Sequence, residues 1–502
     1  MADASEGCSC SVGVILASVA ALLITLWIFI RPKRSKTLPP GPPTKPLIGN
    51  MDIFLKGDGF QRLESIKKVT EEYGKDGMCT LYVGHRPNVM VSDYELIKKL
   101  TNDEKFTGRP RGMQDIHFRR KGLLFTEGEL WKEQRRFALT TLRDFGMGKT
   151  WLQDLIIEEA QELINDLEAV RERPVNPNNY LTPSVANVIC AISYGERFSH
   201  KDENFRRLTT LIGQNVTLAA KMQAMQVYPW LRWIPFTRLR QNYLALQKNL
   251  KDVGVFLRRL ITEHKNNLEG EPRDYIHAFL LEADRQKTKP TTTFTDEQLE
   301  KAVFNLFGAG TETTSTTLTW AIIFLLENPE VYKKVQAEVD KVVPDGGFPN
   351  LEEKESMPYL QAVIQEVQRL ANLVPFPIRT TTEEAQLGNY HLPAGTMVSP
   401  NLYAVHKDPK YFPNPEKFDP QRFLDEKGQI KKVDGFFPFS IGKRFCLGES
   451  LAKMELYIFF ASLLKHFNFE LAPGETISSR KSIFGIVNAP VPYKIIFKRR
   501  NN

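Results

Sequence analysis

From about residue 129 to 370, apolar side chains recur at the three- to four-residue spacing of helices that bury one face. The helical pattern is predicted to break at Pro183, Pro229 and Pro235 and in the polar stretch near 285–295. Residues 296–328 read as one long helix. Thr295 and Gln298 offer a capping box at its start, and Pro329 stops it. Residues 78–92 (MCTLYVGHRPNVMVS) alternate apolar and polar about a His-Arg-Pro-Asn turn and predict a β-hairpin. After about 372, short strands return in YHLPAGTMVSP and PYKIIFKR, with one long helix over 449–466 between them. No internal repeat or second domain boundary stands out. The pattern describes a mainly α body with a smaller β-rich region, an α+β chain, and excludes a parallel α/β sheet.

Ahead of that body, Val12 to Ile30 carries no charge, and at about 1.5 Å per residue it nearly matches the hydrocarbon thickness of a bilayer. Asp3 and Glu6 precede it, while Arg31, Lys33, Arg34 and Lys36 follow, which places the N-terminus in the lumen and the body in the cytosol. A cleaved signal peptide would want a basic leader and a shorter apolar core. The expected organisation is a lumenal N-terminus and transmembrane anchor at 1–30, a basic and proline-rich linker at 31–50, and a cytosolic body at 51–502. The prolines of LPPGPPTKPLIGN make the linker either a plain spacer or a rigid strut. Residues 222–235 (MQAMQVYPWLRWIP) read either as core or as a second patch in the bilayer interface, where Trp and Tyr rings are favoured.

The 502-residue composition, 42% hydrophobic and 25% charged, is globular. A net charge of +8, with no zinc-finger spacing and no arginine-rich tract, argues against nucleic acid. The five cysteines (Cys8, Cys10, Cys79, Cys190, Cys446) form no CxxC pair and are too few for a disulfide scaffold.

Cys446 stands apart. In FSIGKRFCLG it follows Lys443 and Arg444 and precedes an apolar helix, and cations and a helix N-terminus both favour a thiolate. Gly442 and Gly448 let the backbone pass close to something bulky. A lone buried cysteine is more often inert, and a nucleophile would want a histidine partner. A thiolate ligand to haem explains the glycines, the cations and the single sulfur together.

FSIGKRFCLG resembles the haem-binding signature of the cytochrome P450 superfamily, Phe-x-x-Gly-x-Arg-x-Cys-x-Gly, at every fixed position. WKEQRRF, FGAGTETTSTTL, ESMPYLQAVIQEVQRL and YHLPAGTM look most like family 2, with the J subfamily the nearest pattern. The resemblance implies the cytochrome P450 fold and a haem-thiolate monooxygenase, with haem b bound through Cys446 as metal ligand. Within FGAGTETTSTTL, Gly308 and Gly310 either serve helix packing or open the helix for oxygen. By resemblance Glu312 and Thr313 relay protons during oxygen activation. Trp131, Arg135, Arg379, Arg444, Ala309 and Phe439 are implied haem contacts. Glu366 and Arg369, residues three apart on one helix face, are implied to form a buried structural network with Arg422. Ile116, Phe118, Phe304, Ala309, Val374, Ile483 and Phe484 are the implied substrate contacts.

The family-2 likeness implies an endoplasmic reticulum enzyme that hydroxylates or epoxidises fatty acids such as arachidonate, and xenobiotics. No GxGxxG or other nucleotide loop is present, so NADPH must act through a separate reductase, NADPH-cytochrome P450 reductase, and the likeness allows cytochrome b5 as a second donor. Lys132, Arg136 and Arg143 read as a solvated basic face or as the docking surface for such a donor. The rival readings are a reductase-independent haem-thiolate isomerase, which the intact Glu312–Thr313 pair argues against, and an anchored haem-binding protein without turnover. Asn215-Val-Thr217 fits a glycosylation sequon that a cytosolic position would leave unmodified.

Overall fold

The structure, a computed structural model, describes residues 35–146 and 150–500 together with position 18. The anchor at 12–30, apart from that one position, and its flanking charges, apart from Lys36, therefore lie outside the described residues. No helix among the described residues is long and apolar enough to cross a membrane.

The longer helices among the described residues are α1 (Gly59–Tyr73), α2 (Tyr94–Asn102), α3 (Gly128–Asp144), α4 (Thr150–Ala169), α5 (Asn178–Tyr194), α6 (Glu203–Lys221), α7 (Arg238–Asn266), α8 (Tyr275–Arg285), α9 (Asp296–Glu327), α10 (Pro329–Val342), α11 (Pro358–Ala371) and α12 (Glu449–His466). The strands are β1 (Met78–Val83), β2 (Arg86–Val91), β3 (Arg379–Thr380), β4 (Ala385–Leu387), β5 (Tyr390–Leu392), β6 (Met397–Pro400), β7 (Phe467–Leu471), β8 (Ser482–Phe484), β9 (Asn488–Pro490) and β10 (Ile495–Arg499). The main sheet runs β1-β2-β6-β3, with β2 and β6 its one parallel pair among the described strands. The expected mainly α body with a β-rich minority is what forms.

α9 is the axis of the fold. Every residue from Thr314 to Leu325 is buried, and the helix packs along α5 and against α7, α11 and α12. A helix apolar on every side belongs inside a large domain. The Thr295 hydroxyl accepts from the Gln298 N–H as a capping box requires. The reciprocal half does not form. Gln298 instead donates to the Gly122 carbonyl and accepts from its N–H, both at 3.0 Å, tying the loop before α3 to α9.

Two local expectations differ. Pro183 does not break a helix but sits inside α5, whose residues from Ser184 to Cys190 are all buried. Burial there outweighs the lost backbone bond. The hairpin turns at Gly84-His85, because Val83 pairs directly with Arg86 and the Arg-Pro-Asn residues already belong to β2. Gly84 supplies the positive φ of 63° that the tight turn needs.

Candidate active site

Between α9 and the segment that leads into α12 lies an internal cavity of about 300 Å³, walled mainly by apolar atoms. α9 contributes Asn305, Ala309, Gly310, Thr313 and Thr314, and α5 contributes Ile189 and Ile192. Phe439, Phe445, Cys446 and Leu447 face them. Cys446 is exposed, and it lines this cavity.

The loop around Cys446 is held from several directions. The Cys446 N–H donates to the Phe439 carbonyl at 2.9 Å, closing the segment on itself. Gly442 has φ 74°, and a Cβ there would stand 2.2 Å from the Thr101 carbonyl oxygen. The bulky neighbour of Gly442 is therefore the end of α2. Gly448 meets nothing within 4 Å and lines the cavity.

Burial pushes the Cys446 thiol up from its ordinary value, while the Gly448 N–H and Arg135 pull it down. The cations adjacent in sequence do not serve it. Lys443 is 3.1 Å from Glu104, and Arg444 donates to the Thr107 and Thr126 carbonyls. Arg135 replaces them, donating to the Phe445 carbonyl at 2.7 Å with its guanidinium over the Phe445 ring.

Four arginines converge on one side of the cavity. Arg444 lies 3.8 Å above the Trp131 ring, and its Nη1 is buried with no partner. Arg109 donates to the Ile378 carbonyl at 2.8 Å, and its buried Nε also has no partner. Arg379 makes only long contacts, 3.4 Å to the Thr101 carbonyl and 3.3 Å to that of Ile441. Burial and mutual repulsion push Arg109 down to about 10, Arg379 to about 9 and Arg444 to about 7, and Arg135 is lowered by burial. Guanidinium does not give up its proton in a protein. The depressions therefore record the cost of burying these charges first and their mutual repulsion second, and an anionic group in the cavity would offset both. A flat, apolar cofactor with carboxylates on one edge fits this ring, and haem is such a group. Trp131, Arg135, Arg444, Ala309 and Phe439 all line the cavity, whereas Arg379 is not among its lining residues. Arg109 lines it too and was not singled out from the sequence. In KFTGRPRGM nothing distinguishes it from Arg111.

Thr313 lines the cavity, and its hydroxyl donates to the Ala309 carbonyl at 2.8 Å. Glu312 points elsewhere. Its Oε2 comes 3.9 Å from where a Cβ on Gly213 of α6 would stand, and burial raises its pKa. No described hydrogen bond joins the two side chains. α9 runs unbroken through the glycines. Gly310 is a packing glycine, since a Cβ would sit 2.4 Å from Ile189 Cδ1, whereas Gly308 meets open space.

Glu366 and Arg369 are completely buried and joined by two bonds of 2.7 and 2.8 Å. Arg422 Nε reaches Glu366 at 3.1 Å, and the Asp419 N–H reaches it at 2.8 Å. Arg369 also donates to the His406 carbonyl at 2.7 Å, and His406 Nε2 accepts from the Phe437 N–H at 3.3 Å, two residues before Phe439. The expected network thus connects physically to the Cys446 segment.

Of the expected substrate contacts, Ala309 and Val374 line the cavity. Phe118 stacks on Phe125 at 4.5 Å and leans on Phe304, Phe484 meets Phe376 edge-on, and Ile116 and Ile483 are partly exposed. Those five lie outside its lining. Lys132 is paired with Glu104 and Glu129, so part of the basic face is already neutralised. Asn215 is buried on α6, where a sequon cannot be reached.

The site is thus an apolar cavity lined by the Cys446 thiol, by Arg109, Arg135 and Arg444, and by the Thr313 and Thr314 hydroxyls of α9. The cytochrome P450 family profile matches residues 39–497. Cytochrome P450 2J2 of Homo sapiens is 39% identical over 490 residues, covering 96% of this chain and 95% of that relative. Cytochrome P450 2J3 of Rattus norvegicus is 38% identical over 489 residues, with the same coverage of each chain. Cytochrome P450 2U1 of Rattus norvegicus is 34% identical over 512 residues, covering 97% and 95%. The chain belongs to the cytochrome P450 monooxygenase family, and membership implies a haem cofactor.

Proposed function

We propose that the protein inserts one oxygen atom from O2 into apolar substrates, hydroxylating or epoxidising fatty acids such as arachidonate and xenobiotics. The observation that carries this reading is the Cys446 thiol facing an apolar cavity beside the Arg109, Arg135 and Arg444 guanidiniums. Cys446 would ligate the iron, and these arginines with Trp131 would hold the propionates. Bound haem supplies redox and oxygen chemistry that no side chain can.

The chain's own residues do the rest. The apolar walls exclude water and strengthen each polar contact within. Thr313 holds a hydroxyl proton at the cavity surface, with Glu312 next to it in the chain as an acid whose pKa burial raises. The Glu366–Arg369–Arg422 network fixes the segment bearing Cys446.

Electrons come from NADPH through NADPH-cytochrome P450 reductase, with cytochrome b5 as a second donor. The body sits on the cytosolic face of the endoplasmic reticulum membrane, anchored through residues 12–30. Supporting this, Trp230, Trp233 and Phe236 are exposed, Phe236 at 97%. The Tyr228 hydroxyl ties that segment to Leu47 at the end of the linker, which is exposed as well. Such rings favour a bilayer interface over water.

The test is reconstitution with reductase, NADPH, arachidonate and ¹⁸O₂. One labelled atom in the product, dependent on NADPH and reductase, supports the reading. Conversion of a fatty-acid hydroperoxide without reductase would favour the isomerase, and no conversion of any substrate would favour a binding protein.

A further inference from the structure

Glu455 lies in the middle of α12, 1% exposed, and lines the cavity that Cys446 and Thr313 share. Its Oε2 accepts the Thr314 hydroxyl at 3.0 Å, and its Oε1 is buried with no partner. Thr314 follows Thr313 on α9, so this bond closes the cavity where its two walls meet. Among the described residues no lysine, arginine or histidine pairs with the carboxyl. Burial raises Glu455 well above the usual carboxylate range, and only the Thr314 hydroxyl pulls it down.

A buried, unpaired carboxylate is expensive, and such a group stays protonated instead. With Oε2 occupied by Thr314, the proton belongs on Oε1, the oxygen that has no partner. A purely structural tie between α9 and α12 would need only one hydroxyl–acceptor pair, which a glutamine supplies without a titratable proton.

We propose that Glu455 is a second internal proton donor, a neutral carboxylic acid that delivers the Oε1 proton into the cavity. This rests on the monooxygenase reading. In the step the Oε1–H bond breaks and the proton passes, directly or through one water, to the oxygen anion that reduction of O2 with the reductase's electrons would place in the cavity. The carboxylate left behind is held by the Thr314 hydroxyl until a proton returns from cavity water, so one proton leaves and one comes back. Such a weak acid yields only to a strong base, which limits its use to turnover.

The test pairs infrared spectroscopy with electron accounting. In the wild type, with or without haem, a carbonyl band of a protonated carboxylic acid that shifts in D2O and vanishes in Glu455→Gln is expected. Reconstituted with reductase, Glu455→Gln should keep the thiolate spectrum and NADPH consumption. Product per NADPH should fall about tenfold as hydrogen peroxide rises, less than the roughly 10²–10⁴-fold of a sole general acid because Thr313 and Glu312 still supply protons, and Glu455→Asp should recover part of the loss. Absence of the band from the wild type, or unchanged coupling in Glu455→Gln, would overturn the proposal. Should Glu455→Gln fail to fold, the D2O-sensitive band in the wild type, tested against Thr314→Val, still decides. The band is expected to move when the Thr314 bond is removed, and a band that stays fixed would overturn the assignment. Loss of the thiolate spectrum in the wild type would count against the monooxygenase reading and leave the infrared result standing.

Discussion

Alanine at Gly308 and at Gly310 gives a matched pair on one buried helix. Each substitution gains the same intrinsic helix preference, about 0.8–1 kcal/mol. At Gly308 nothing lies within 4 Å of the new Cβ, so that gain stands alone. At Gly310 the Cβ would sit 2.4 Å from Ile189 Cδ1 and 2.5 Å from Cγ1. Both atoms belong to a β-branched side chain that is 7% exposed between α5 and α9. Displacing it should cost about 1–3 kcal/mol, the usual range for overpacking. The propensity terms cancel in the comparison, leaving Gly310→Ala less stable than Gly308→Ala by about 1–3 kcal/mol. For a chain this long that is roughly 1–3 °C in melting temperature, so denaturant midpoints with their slopes are the better assay. Ile189 lines the cavity, so its shift should also alter ligand affinity in Gly310→Ala and not in Gly308→Ala. Equal midpoints, or a more stable Gly310→Ala, would refute the packing explanation for that glycine.

Glu366→Ala should cost about 3–5 kcal/mol, because it strands two buried arginine charges, and should show in denaturant midpoints and haem retention. Arg109→Met should stabilise the haem-free protein by relieving repulsion with Arg379 and Arg444, yet speed haem loss from the loaded one. Thermal melts of both forms check the pair of signs. His200 lies 2.7 Å from Asp166 and 3.2 Å from buried Glu159, and these carboxylates, against the cost of burial, raise it to about 9. A raised folded value means its stabilisation is complete below about pH 6.5 and lost as pH rises towards 9. His200→Asn should flatten that part of a stability–pH curve.

Much of this was legible in the sequence because it is local. The long α9, α12, the hairpin at 78–91 and the Glu366–Arg369 spacing all follow from periodicity within one element. The rest depends on what folding brings together. Lys443 and Arg444 flank Cys446 in sequence but turn away from it, and Arg135 takes their place from α3. Arg109 joins the arginine ring from a loop with no distinguishing pattern. Glu455 meets its one hydrogen-bond partner, Thr314, only when α9 packs against α12. Gln298 gives up its capping partner for the Gly122 backbone, more than 170 residues away. Pro183 predicts a break from sequence alone, because the burial that tolerates it is tertiary.

The most direct test of the central claim is the absorption spectrum of the dithionite-reduced protein with carbon monoxide, wild type beside Cys446→Ala. A strongly red-shifted Soret band in the wild type, absent from the variant, is the predicted result and would establish thiolate ligation by Cys446. A band of the ordinary histidine type, or no haem in the wild type at all, would contradict it.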